Sequence, residues 1–135
     1  MPYTTAGALN VLINSLNLGV TAYRDRAPAG TALPYVTVTE GLDLTPDALE
    51  DGGVGTAVET CQVDLWQHWK DQVTGSVAEN GLLAPALIRG LHGKRTQQIG
   101  SSTVYTVRVI SAPRLLEEEN NVVHHPITVE INREI

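Results

Sequence analysis

Residues 59–69, ETCQVDLWQHW, constrain the fold of this chain more than any other stretch. Cys61, Val63 and Leu65 alternate with polar residues, as expected for a β-strand with one buried face. The apolar period then changes from two to four, which predicts one stripe of a following helix, formed by Trp69, Val73 and Val77. A strand that leads into a helix indicates a mixed α and β domain and fixes the side on which the core lies.

A first helix is predicted at residues 4–18. Thr4 or Thr5 can cap its start, and Gly19 stands where a helix C-terminal cap belongs. Its apolar stripe consists of Ala8, Leu9, Leu12, Ile13 and Leu16. The helical region at 67–91 contains Asn80, Gly81 and Pro85, so two helical pieces or a kink are expected. A second apolar stripe begins there with Leu83, Leu87 and Leu91.

Four further segments have the composition and alternation of strands. A short strand is predicted at 20–23 and a longer one at 35–41, where Val36 and Val38 share a face. The last two strands are predicted at 103–111 and 126–133, the latter with Ile127, Val129 and Ile131 on one face. Adjacent strands in the sequence can pair as antiparallel hairpins.

Two long loops are predicted, at about 42–55 and 112–125. The first contains Pro46, a Gly52–Gly53 pair and several acidic residues, and it is either a solvated loop or an interface loop ordered by a partner. A short helix at 46–50 remains open. The second contains three consecutive glutamates, and it can be a turn of helix or a solvated loop.

The expected fold class is α+β, an antiparallel sheet of about four strands packed on one side by two or three helices. A length of 135 residues is that of one ordinary domain, so we expect a single domain over 1–135. No apolar run approaches the roughly 20 residues that a membrane-spanning helix needs. The N-terminus lacks the pattern of a secretory signal, and a lone cysteine fits a reducing compartment, so we expect the protein to stay in the cytosol.

The charge balance argues against a protein that grips nucleic acid. The chain carries 15 acidic and 9 basic residues, a formal net charge of −6, whereas phosphate backbones are bound by excess Lys and Arg. Phe is absent and aromatic residues make up 4%, so a stacking platform for single strands is not expected. An acidic wall still allows a duplex to pass through a channel without sticking to it.

The sequence predicts no catalytic, cofactor or metal site. Zinc needs three or four convergent ligands, and the neighbouring His124 and His125 would point to opposite faces of a strand, while His68 and His92 lie elsewhere in the sequence. Cys61 falls on the apolar face of its strand, where a buried and inert thiol is expected. Nucleophile-elbow, phosphate-loop, dinucleotide and zinc-protease motifs are absent.

Three short segments together resemble the tail terminator, or tail completion (minor tail), proteins of long-tailed bacteriophages. They are LPYVTV at 33–38, QVDLW at 62–66 and PITVEI at 126–131, and the order of elements is similar over most of the chain. The chain departs from that family in the broken helical region after Trp69 and in the RLLEEENNVVHH linker.

The resemblance implies a structural virion protein at the head-to-tail junction. Such a protein forms a homo-oligomeric ring, a hexamer, that ends tail-tube polymerisation and joins the tail to the head. Its implied partners are its own copies, the tail tube protein, a head-completion or connector protein, and genomic DNA that passes through the lumen without specific binding. The resemblance brings no catalytic residue, cofactor or membrane contact, and it implies assembly in the host cytoplasm.

A ring needs two different complementary patches on each subunit. Trp66 can serve as an interface anchor or as a core residue, since tryptophans are common in both roles. The full set of predicted interface residues is Trp66, Tyr35, Leu44, Leu49, Val54, Leu115, Leu116 and Ile127. The alternatives are a head-completion or stopper protein, a generic adaptor, and a small enzyme or ligand-binding domain, which a pocket containing His68, His92 or Asp64 would favour.

Overall fold

A computed structural model describes residues 5–48, 54–93, 95–99 and 102–134. Two α-helices and seven β-strands occupy these residues, together with a 3₁₀ turn at Glu118–Asn120. In chain order they are α1 (Thr5–Ser15), β1 (Ala22–Arg24), β2 (Tyr35–Ala48), β3 (Val54–His68), α2 (Leu83–Leu91), β4 (Arg95–Ile99), β5 (Ser102–Ser111), β6 (Leu115–Glu117) and β7 (Val122–Glu134).

The described strands form one sheet with the order β1-β2-β3-β7-β5-β4, and β6 pairs with β7. β1 runs parallel to β2, and the other pairs are antiparallel. Both helices pack on the sheet, so the predicted α+β class is confirmed. The described sheet has more strands than the predicted four, because β4 lies in a segment for which no element is predicted and β6 lies in a predicted loop.

The core lies between the helices and one face of the sheet. Cys61, Val63 and Leu65 of β3 are fully buried, as their alternation predicts. Their neighbours in the core come from β2, β7 and both helices: Val36, Val38, Ile127, Val129, Ile131, Ala8, Leu9, Ile13, Leu87 and Leu91. A β-carbon at Gly90 would collide with the methyl groups of Leu16, so glycine lets the Leu16 side chain, just after α1, pack against the backbone of α2.

Helix α1 ends earlier than predicted, at Ser15. Asn17 adopts a left-handed backbone with φ of 53° and so takes the position expected for Gly19. The Asn14 side chain accepts a hydrogen bond from the Ala22 N–H at 2.9 Å and donates one to the Ala22 carbonyl at 3.3 Å. These two bonds fasten the end of α1 to the start of β1.

The predicted helix directly after Trp69 is wrong. Strand β3 continues to His68, and residues 69–82 form an irregular excursion in which Val73 is 95% and Val77 73% exposed. The Asp71 carboxylate accepts the N–H groups of Val73 and Thr74 at 2.8 and 2.9 Å, which closes a turn instead of a helix. The second stripe is correct, because the Leu87 and Leu91 side chains of α2 are fully buried.

The predicted loop at 42–55 is also wrong over the described residues. Residues 43–48 pair with 54–60 as the outer part of a hairpin between β2 and β3. Pro46 is tolerated because β2 is the outer strand there, and an outer strand can lose an N–H without losing a ladder bond. Leu49 and the rest of 49–53 lie outside the described residues.

The predicted loop at 112–125 contains ordered structure. β6 folds back on β7 through the 3₁₀ turn, with Asn121 in the left-handed region at φ of 55°. The Asn121 side chain accepts the Lys70 N–H at 2.9 Å and donates to the Lys70 carbonyl at 2.6 Å. The β6–β7 turn therefore holds the beginning of the 69–82 excursion.

Candidate interaction surfaces

A polar cluster lies on the face of the sheet opposite the helices. Asp64 of β3 is only 7% exposed, and its Oδ1 lies 2.6 Å from His124 Nε2 on β7. The same oxygen accepts a hydrogen bond from Gln62 Nε2 at 2.8 Å. Register places Trp66 directly opposite His124 and Asp64 opposite Pro126, so the cluster crosses the β3–β7 pairing.

Trp66 forms the apolar part of this cluster. Its ring stacks on the His124 imidazole with centroids 3.8 Å apart and an interplanar angle of 3°. Its indole N–H donates to Thr37 Oγ1 on β2 at 3.3 Å. Trp66 therefore links three strands on the polar face of the sheet, away from the main core, and it remains partly exposed.

The other predicted interface residues fall into different environments. Tyr35 is partly buried and meets Tyr23 edge to face at 6.3 Å, and Leu115 is 48% exposed beside a partly buried Leu116. Leu44 and Val54 belong to the outer β2–β3 hairpin, and Leu49 lies outside the described residues. The remaining residue, Ile127, is fully buried.

The prediction of Ile127 as an interface residue is wrong, because its side chain does not reach the surface. Strand β7 lies inside the sheet, between β3 and β5, and the Ile127 side chain is fully buried against the helices. Its alternation with polar residues was read correctly, but alternation gives no strand order. Ile127 therefore contributes to folding and not to a surface contact.

The 69–82 excursion presents apolar side chains to solvent. Val73 and Val77, predicted on the buried stripe of a helix, are 95% and 73% exposed, and Leu82 is 76% exposed. A bridge between Lys70 and Val77 holds the excursion together, and the Asn80 N–H bonds to Gln67 Oε1 of β3 at 3.0 Å. The informative sequence signal was Asp71 followed by Gly75, which adopts φ of 72°.

An open cleft of about 600 Å³ lies beside this excursion. Its lining includes Ala84, Pro85 and Ile88 of α2, Val77 and Ala112, with His125 of β7 also in contact. At its rim Arg114 binds Glu79 through both carboxylate oxygens, with a shortest distance of 2.7 Å. This hydrogen-bonded pairing lowers the pKa of Glu79 and raises that of Arg114.

His125 is the buried titratable group of the cleft. It is 7% exposed, and its Nδ1 lacks a hydrogen-bond partner among the described residues. Burial is the main cause that lowers the pKa of His125. The negative charge of Glu79 opposes this shift, whereas Arg114 and His124 lower the pKa further. The imidazole is therefore neutral near pH 7.

The buried neutral His125 should make the fold sensitive to mild acid. A histidine whose pKa is lower in the folded state binds its proton more readily when unfolded, so stability falls as the pH drops below about 6.5. We expect the thermal midpoint to fall between pH 7.5 and 5.5, and to fall less in His125→Gln. His68→Gln, at an exposed position, is the matched control; an equal slope in wild type and His125→Gln would contradict this prediction.

The residues that would mark an enzyme or ligand pocket, His68, His92 and Asp64, do not come together. His92 Nδ1 accepts the Val109 N–H at 3.0 Å, Asp64 is bonded to His124, and His68 lines a shallow cleft with Lys70 and Asn121. Cys61 is buried. Within the described residues, no group of three His, Cys, Asp or Glu side chains is arranged to hold a metal ion. No helix in that part of the chain is long and apolar enough to cross a membrane.

Among solved structures, the chain is similar to one described as "Virion of native gene transfer agent (GTA) particle". The TM-score is 0.64 at 17% sequence identity, and the superposition covers 98% of this chain and 99% of that chain. The two chains therefore share a fold from end to end. No family model and no curated protein matches the sequence.

Proposed function

We propose that this chain is a structural virion protein of a phage-like particle. The single observation that carries the proposal is the fold shared end to end with a chain of a gene transfer agent virion. Coverage of 98% and 99% leaves little of either chain outside the common architecture, so the likeness is not that of one small motif. A structural role also agrees with the separate positions of the histidines, Asp64 and Cys61.

Within the virion, we propose a hexameric ring at the head-to-tail junction that ends tail-tube polymerisation and joins the tail to the head. The resemblance of LPYVTV, QVDLW and PITVEI to tail terminator proteins supports this position. The partners are other copies of the chain, the tail tube protein and a head-completion or connector protein. A net charge of −6 suits a lumen through which genomic DNA passes without binding.

A tube-capping assay tests the junction role. Tubes grown from the tail tube protein of the same particle are incubated with the purified chain and then offered fresh tube protein. We expect the chain at one end of each tube and no further growth at that end, because a bound ring covers the surface that the next tube ring needs. Tubes that lengthen as fast as untreated ones, with none of the chain at their ends, would contradict the proposal.

The same assay distinguishes a tail terminator from the alternative, a head-completion or stopper protein. A stopper would bind the connector of filled heads and leave tube growth unchanged. Pull-down on purified connectors, run in parallel with the tubes, therefore assigns the chain to one ring or the other. A chain that binds neither tubes nor connectors would contradict both.

A further inference from the structure

Within the described residues, the sheet has an open edge on each of its two sides. β1 covers only the start of β2, pairing Ala22–Arg24 with Val36–Val38, and the Asp25 N–H adds one bond to the Val38 carbonyl at 2.8 Å. A register shift follows between Thr39 and Asp43, and beyond it β2 pairs with β3 alone among the described residues. On the other side, β4 pairs with β5 alone in the same part of the chain.

These two edges lie at the same height of the sheet. The pairings connect Thr45 to Val58, Val58 to Asn132, Asn132 to Thr106 and Thr106 to Arg95. One row of paired residues therefore runs from β2 to β4 across five strands. Following the antiparallel pairs across the sheet, β2, β7 and β4 run in the same direction.

Pro46 shows which backbone groups of β2 face outward. It lies opposite Ala57 in an unbroken register from Asp43 to Asp47. Because proline has no N–H, its position is one at which the ladder to β3 uses no donor from β2. Successive residues of an antiparallel strand alternate in the side to which they bond, so the N–H of Leu44 also faces away from β3.

Open strand edges template pairing with another chain. A closed ring needs two different surfaces whose contact repeats by rotation alone, and strands that continue around such a ring are tilted and staggered in register. The outer part of β2 and the strand β4 provide two such surfaces, because they lie on opposite sides of one sheet and overlap in height. Pro46 removes one bond from the edge and leaves the neighbouring backbone groups able to pair.

Building on the ring proposed above, we infer that residues 43–48 of β2 in one copy pair, in parallel, with β4 in the next copy. The sheets of successive subunits then form one continuous band around the ring. The occupant of each edge is a second copy of this chain.

Hydrogen exchange of the assembled and the dissociated protein tests this inference. Backbone amides that gain a ladder partner exchange more slowly. In the ring we expect at least tenfold slower exchange of the amides in 43–48 and 95–99 that face away from the sheet, such as that of Leu44, and unchanged exchange in the central strand β7, which is paired on both sides. A ring in which neither edge gains protection overturns the inference and leaves the proposed function standing. A chain that stays monomeric at every concentration overturns both.

Proline variants provide a second test with an internal control. Leu44→Pro removes an outward N–H, as Pro46 already does, so the subunit should stay folded while ring formation weakens at least tenfold. Thr45→Pro, one residue along, removes an N–H that the ladder to β3 uses and should lower the thermal midpoint of the subunit itself. Rings that form equally well in folded Leu44→Pro and in wild type would overturn the inference.

Discussion

Replacing Ile127 by alanine is expected to lower the free energy of unfolding by about 2–5 kcal/mol, the range for removing a large aliphatic side chain from a packed core. Ile127 is fully buried on the central strand β7, where strands on both sides limit collapse around the cavity. Urea unfolding followed by circular dichroism measures the change.

The matched control for this variant is Ile110→Ala. Ile110 lies on the neighbouring strand β5 and is 46% exposed, so the same truncation should cost about 1 kcal/mol or less. Equal losses in the two variants would contradict the burial of Ile127. A loss of oligomerisation in Ile127→Ala with unchanged subunit stability would restore its earlier placement in an interface.

The second large effect is expected at Asp64. Asp64→Ala removes the acceptor for His124 and Gln62 and leaves both side chains without that bond on a largely buried part of the sheet face. We expect a loss of about 1.5–3 kcal/mol, the range for hydrogen bonds to a charged group. Asp64→Asn keeps an oxygen acceptor and should recover part of the loss.

A double-mutant cycle shows whether this loss comes from the Asp64–His124 contact. In a His124→Ala background, Asp64→Ala should cost less than it does in wild type, because one of its two partners is already gone. Glu118→Ala, at an exposed acidic position, controls for the change in net charge. Strictly additive losses at the two positions would contradict coupling between them.

The parts of the fold that follow from periodicity were predictable. The alternation of Cys61, Val63 and Leu65 and the spacing of Leu83, Leu87 and Leu91 are set by one buried face, and all six side chains are buried. The α+β class follows from these elements. Strand order does not, because alternation is the same in an inner strand and an edge strand, and this is why Ile127 was misplaced.

The missed elements depend on tertiary pairing. Residues 42–55 have the composition of a loop, yet over the described residues β2 continues to Ala48 and β3 begins at Val54, because β3 is also paired with β7 on its other side. Val73 and Val77 match a helical spacing, but the Asp71 carboxylate bonds to the backbone and no core lies beside them. In the first case strand pairing outweighs a loop-like composition. In the second, the helical spacing of Val73 and Val77 does not indicate a helix.

The polar cluster was beyond a reading of the sequence for a similar reason. Asp64 and His124 are separated by 60 positions, and they meet only because β3 pairs with β7 in one particular register. The period of two along residues 59–66 predicts Asp64 and Trp66 on the face opposite Cys61, which is correct. Periodicity within one strand does not predict that His124 of another strand lies on the same face.

The most direct measurement is electron microscopy of the purified full chain, with the mass of the particles determined in parallel by light scattering. Our account predicts closed rings with a central channel and a mass six times that of the 14.5 kDa chain. A strictly monomeric species at every concentration tested, with no ring on tube ends or connectors, would contradict it.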